Sequence, residues 1–168
     1  MKADIIPMPT QCSETDGDWG MDLEVAKKAL ESGIKFVANC GLKVVELRRG
    51  YVKCLMPYAG NGNHIGTMYA GALFTLAEIP GGALFLSSFD VSKFYPIVKA
   101  LDMQFLKPAT GDVTVEIGLD NIHIASLAAE AAEKGKAEFI LEGELKMADG
   151  TVVATSRGVY QLRSLQGD

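Results

Sequence analysis

One ionisable residue interrupts an otherwise apolar run: Glu78, within residues 61–86, NGNHIGTMYAGALFTLAEIPGGALFL. Counted at helical spacing, Met68, Ala72, Leu76 and Ile79 share one side, while Tyr69, Leu73, Ala77 and Ala70, Phe74 fill the others. A helix that is apolar all round is expected to be buried all round. A carboxylate inside it is costly unless it is paired, hydrogen-bonded or kept neutral. Desolvation of the charged form is also the usual way a carboxylate is tuned toward working pH as a base or nucleophile. Ahead of the helix lies a polar, glycine-rich turn, Asn61-Gly62-Asn63-His64, which holds the one histidine near the helix. His64 either takes part in the chemistry or caps and lines the turn.

The run is almost long enough to cross a membrane, for which roughly 20 apolar residues suffice. Glu78, Pro80 and the Gly81-Gly82 pair fall in its middle, and no basic flank anchors it, so a central buried helix is the better reading. Pro80 frees the carbonyl of Leu76 and is expected to kink or end the helix just past Glu78.

The elements around this helix follow from pattern. Residues 1–20 carry Pro7, Pro9, Gly17 and Gly20 among polar residues and read as a loosely held arm, with a single domain over 21–168. Asp22 is a good N-cap, and Leu23, Ala26, Leu30, Ile34 and Val37 predict a helix over 22–39, stopped by Asn39-Cys40-Gly41. Residues 42–48 and 51–56 read as two strands joined by a tight turn at Arg49-Gly50. The central helix is placed at about 67–86, with Thr67 as a candidate cap. Residues 95–106 and 113–119 are strand candidates, 126–134 a short helical insertion ended by Gly135, and 139–147 and 152–162 a hairpin about Asp149-Gly150. His123, beside the insertion, reads as a surface or loop residue. The sum is an α+β domain: a curved antiparallel sheet of about six strands wrapped round a central helix, with an extra N-terminal helix. Such a sheet leaves its edges open, so pairing with a second copy is expected.

Composition removes several function classes. The chain has 168 residues, 48% of them apolar, which is ample for a core. A net charge of −5, with no basic cluster beyond Arg48-Arg49, argues against nucleic acid as a partner. Cys12, Cys40 and Cys54 are odd in number and far apart, and no CxxC or His/Cys ligand spacing occurs, so neither structural zinc nor a disulfide framework is expected. With no apolar leader at the start, the cytoplasm is the expected compartment.

The order of elements, with the words in residues 63–78, resembles the hotdog fold and in particular the acyl-CoA thioesterase superfamily. In the phenylacetate-pathway type of these enzymes an Asn is followed six residues on by His-Gly-Gly, and nine residues after that His by an Asp or Glu. Asn63 matches the Asn, Tyr69-Ala70-Gly71 stands in place of His-Gly-Gly, and Glu78 falls at the acidic position. Gly66-Thr67 and Leu76-Ala77-Glu78 are similar too, and the phrase most resembles an uncharacterised subgroup with an HxGTxxAGAL-like run. The resemblance implies an acyl-CoA or acyl-carrier thioesterase that needs no metal or organic cofactor. Glu78 would activate water or attack the thioester, and Asn63 would orient the water or hold the oxyanion. The Gly71 N–H would donate to the same oxygen, near the positive end of the helix dipole. Gly66, Thr67, Tyr69 and Ala70 would line the substrate site. It further implies a homodimer or homotetramer with each site at the subunit interface. Losing the His of His-Gly-Gly changes how the carbonyl is polarised.

Each residue also has a structural reading. Glu78 could bond backbone groups freed near Pro80, Asn63 could only shape its turn, and Gly71 could only permit close packing. Tyr69 is either a wall of the acyl pocket or plain core. Lys99, Lys107 and Arg157 are candidates to meet substrate phosphates, although scattered surface cations usually do little. Two other functions compete: an acyl- or fatty-acid-binding protein without catalysis, and a β-hydroxyacyl-thioester dehydratase using His64 with Glu78.

Overall fold

A computed structural model describes residues 22–165; the expected arm over 1–20 lies outside them. The Asp22 carboxylate accepts from the N–H groups of Glu24 (2.9 Å) and Val25 (3.2 Å) and opens α1 (Leu23–Ser32). Where one helix is expected over 22–39 there are two. The chain leaves α1 at Gly33, Ile34 is extended, and α2 (Lys35–Cys40) then closes on Gly41 in the left-handed conformation.

Strands β1 (Lys43–Arg48) and β2 (Tyr51–Met56) form the expected hairpin, with Gly50 at a φ of 72°. The central helix α3 (Ala70–Ser88) is followed by β3 (Phe94–Phe105) and β4 (Val113–Gly118). Helix α4 (Asn121–Lys134), β5 (Lys136–Met147) and β6 (Val152–Ser164) complete the fold. The strands make one antiparallel sheet in the order β1-β2-β4-β5-β6-β3. Helix α3 touches all six strands. This is the hotdog arrangement, a greasy rod in a wrapped sheet.

Period-two patterning builds the wrap. Val113, Val115 and Ile117 of β4 and Phe139, Leu141 and Leu145 of β5 are buried in alternation with exposed neighbours. Opposite them, Leu76, Ala83, Leu84 and Phe85 of α3 are almost fully buried. Pro80 does not end the helix, contrary to expectation: α3 runs eight residues beyond it to Ser88, with Pro80 itself buried. A proline removes one ladder bond and crowds the preceding turn, but burial on every strand outweighs a loss of about 3 kcal/mol.

The insertion is longer than its alanine-rich centre suggests. Asp120 caps α4 by accepting from the His123 N–H at 2.8 Å, so the helix begins at Asn121 and Ile124 joins the buried face with Leu127 and Ala131. β4 and β5 pair only through Val113–Val115 and Leu145–Met147, and α4 packs against β5 and β6. At the far end of α3, the Ser88 hydroxyl accepts from the buried N–H of Gly50 at 2.9 Å and ties the helix to the first hairpin.

Candidate active site

The stripe Ala70–Phe74–Glu78–Gly82 recurs every four residues along α3 and is the face that this chain leaves uncovered. Ala70 is exposed, Phe74 is 44% exposed, and Glu78 and Gly82 are half-buried, while fourteen of the helix's other residues are buried. The helix is therefore not buried all round, and the acid sits on its open side. Burial still raises the Glu78 carboxyl above its ordinary value near 4.5, and desolvation is the cause. Its structural partner comes from β6: the Tyr160 hydroxyl donates to the Glu78 backbone carbonyl at 3.3 Å. Tyr160 is itself buried, stacks on Phe139 with ring centroids 5.7 Å apart, and has its hydroxyl pushed up to about 12 by burial and then by the Glu78 charge. Nothing in the alternation of β6 marked Tyr160 as other than core; the signal available was glycine at 81 and 158.

The turn ahead of α3 is built around its asparagines. Asn63 Oδ1 accepts from the N–H groups of Ile65 (3.0 Å) and Thr67 (3.1 Å), and its amide donates to Thr67 Oγ1 at 2.9 Å. Thr67 thus serves the turn rather than capping the helix, whose N-cap is Tyr69 with no side-chain bond. Asn61, not singled out from sequence, is buried and donates to the carbonyls of Cys40 (2.7 Å) and Pro57 (2.9 Å), anchoring the turn to α2. The Gly66 carbonyl accepts from the Tyr58 hydroxyl at 2.8 Å, and Gly66 has a φ of 79°. His64 is exposed.

At the start of α3 the Tyr69 ring lies across Gly71, where a Cβ would stand 2.4 Å from Tyr69 Cε1. Tyr69 is 59% exposed and so is not core. The N–H groups of Ala70 and Gly71 head the helix, where no intrahelical acceptor exists and a developing negative charge is favoured.

The structure thus joins Asn63 to Thr67, Tyr69 to Gly71, and Glu78 to Tyr160. Among the described residues no hydrogen bond joins the turn to Glu78. Eight residues of helix separate Ala70 from Glu78, about 12 Å along the axis. Of the three candidate cations, Lys99 pairs with Glu138, and Arg157 with Glu142 at 3.4 Å. His123 lies within α4, exposed, with its ring 2.8 Å from the Asp120 carboxylate. No group of three or more His, Cys, Asp or Glu side chains placed to hold a metal occurs among the described residues.

Residues 24–160 match the family described as a domain of unknown function, DUF4442. The chain belongs to the DUF4442 family. A solved structure from Pseudomonas aeruginosa, named as a protein of unknown function and probable thioesterase, is 54% identical to this DUF4442 chain. That likeness covers 88% of this chain and 99% of that one, with a TM-score of 0.85. A Haemophilus influenzae thioesterase superposes with a TM-score of 0.66 at 16% identity, over 86% of this chain and 92% of that one. A mutant thioesterase from Pseudomonas aeruginosa gives 0.67 at 17% identity, over 86% and 96%. These last two establish the hotdog fold of the DUF4442 chain and nothing further. No curated protein matches it.

Proposed function

We propose that this DUF4442 protein is a thioester hydrolase acting on an acyl-CoA or acyl-carrier thioester, with Glu78 as the base or nucleophile. The observation that carries this reading is a carboxyl raised by burial on the one open stripe of an otherwise enclosed helix. A raised carboxyl is better matched to accept a proton near neutral pH than an ordinary one. The likeness to a relative named as a probable thioesterase supports it.

The site is completed by a second copy. Glu78 lies about 12 Å along α3 from Ala70, where the chain enters from the Asn63 turn, so we take each to meet its counterpart from another chain. Of the two open sheet edges, β1 is six residues long and bears Lys43, Glu46 and Arg48, all exposed. β3 is twelve residues long and exposes Val98 (41%) and Phe105 (53%). A longer edge offers more unpaired backbone groups than a short one, which favours a homodimer or tetramer joined through β3. In that assembly the helix-heading N–H groups of Ala70 and Gly71, with Asn63, receive the oxyanion, and Gly66, Thr67 and Tyr69 border the thioester. Free Cys40 and Cys54 fit a reducing cytoplasm.

One observation favours the alternative of acyl binding without turnover: the Tyr69 ring crowds Gly71, where the carbonyl would dock. A screen of short, long and aromatic acyl-CoAs, run beside Glu78→Ala, separates the two. Hydrolysis by the wild type that falls at least about 100-fold in the variant supports catalysis. Tight retention of a non-hydrolysable acyl-CoA with no turnover of any thioester supports binding only, and full turnover by Glu78→Ala removes Glu78 from the chemistry. The dehydratase reading needs His64 and Glu78 at one carbon, and it predicts hydration of an enoyl thioester, read by loss of the conjugated absorbance.

A further inference from the structure

Tyr160 stands in a slot that two glycines make for it. A Cβ on Gly81 of α3 would lie 2.1 Å from Tyr160 Cε1, and a Cβ on Gly158 of β6 would lie 2.3 Å from Cε2 and 3.1 Å from the hydroxyl oxygen. No real Cβ sits so close, so any larger residue at either position would push the ring off its seat. The ring therefore reaches α3 edge-on at the turn where Pro80 has removed a ladder bond. There the hydroxyl meets the Glu78 carbonyl. Phe139 of β5 backs the ring, and Phe89 lies behind Phe139, with centroids 6.4 Å apart. The carbonyl that Pro80 frees is that of Leu76, so the Tyr160 hydroxyl adds a donor to the Glu78 carbonyl rather than replacing a lost one.

We infer that Tyr160 is the positioning residue for Glu78: its hydroxyl, held between Gly81 and Gly158, pins the Glu78 turn and thereby sets the direction of its carboxyl. This rests on the hydrolase reading for its kinetic consequence but not for its structural one. Burial is the resolved cause of the shift at Glu78, and Tyr160 is the titratable group that feels the Glu78 charge. With its hydroxyl pushed up to about 12, Tyr160 stays protonated and remains a donor throughout the working range.

The test is Tyr160→Phe, which keeps the ring in its slot and deletes one donor. Loss of a single hydrogen bond predicts a fall in kcat of about three- to tenfold with KM within about twofold. Freed of its bond to the Glu78 carbonyl, the turn lets the half-buried carboxyl reach more solvent, so the acid limb of the pH–rate profile moves to lower pH. The same shift should appear in the titration of the Glu78 side-chain carboxyl carbon, followed by NMR on ¹³C-labelled glutamate and assigned with Glu78→Gln. A hydroxyl that serves only the fold would lower Tm and leave the titration midpoint unmoved, and that outcome overturns the inference. Should the wild type hydrolyse no thioester, the hydrolase reading fails while the NMR midpoint still decides this one. Should Tyr160→Phe not fold, the ¹³Cζ shift of Tyr160 in the wild type replaces it. An inflection there at the Glu78 midpoint, lost in Glu78→Gln, supports the coupling, and a flat response overturns it.

Discussion

Glu78 carries opposite consequences for stability and for chemistry. Its folded value lies above its unfolded one, so below about pH 4.5 both states are protonated and the residue is neutral in its effect. As pH rises through the folded value, the native state must hold a half-buried charge that the unfolded chain holds in water, and stability falls. Glu78→Gln should therefore melt higher than the wild type at pH 7 to 8, with the gap closing by pH 4.5, while hydrolysis is lost. A variant that melts lower at neutral pH would mean that the carboxylate is a structural partner. Cys54 gives a second residue-scale expectation. Burial pushes its thiol up to about 12, so an aromatic disulfide reagent at pH 8 should leave it unmodified until denaturant is added. Glu78 was legible from sequence because an acid in an apolar run is conspicuous. Tyr160 and Asn61 were not, since a tyrosine in a strand and an asparagine in a turn have ordinary explanations until their partners are seen.

Along α3, two adjacent glycines should answer differently to the same methyl group. Alanine is the better helix former by about 1 kcal/mol. At Gly82, where a Cβ would meet nothing within 4 Å, that gain should appear as a higher Tm. A loss there instead would report another chain lying against the stripe. At Gly81 the 2.1 Å approach to Tyr160 outweighs the propensity gain, and overpacking of this kind costs about 1–3 kcal/mol. Ser88→Ala should destabilise by about 1–3 kcal/mol, because the Gly50 N–H is left buried without its acceptor. Denaturant melts of the three variants check all of these. Strands and turns were read well from sequence, since alternation and glycine turns are local signals: Gly50 and Gly150 stand at positive φ where turns were expected. The helices were misjudged where tertiary packing overrode local rules. Pro80 is carried through by burial, Gly33-Ile34 divides what periodicity joined, and the Asp120 cap extends α4 by five residues.

For the whole molecule, the interface proposal has a direct check. If each site takes its acid from one chain and its Asn63 turn from another, Glu78→Ala and Asn63→Ala are each inactive alone. Co-expressed, they pair at random, about half of the dimers are mixed, and each mixed dimer has one intact site, so about a quarter of wild-type hydrolysis should return. No recovery from a demonstrably mixed population would place both groups in one chain. The wrapped sheet also has a weak seam. Three residues of β4 face three of β5, whereas eleven pairs join β5 to β6 and eleven join β6 to β3. The sheet is thus two panels, β1-β2-β4 and β5-β6-β3, stitched briefly and spanned by the rod that both enclose. Thermal breathing should begin there, with amides along the stitch exchanging deuterium before those of β6. A long acyl tail seeking room beside the rod would find the wall that yields most easily at that join.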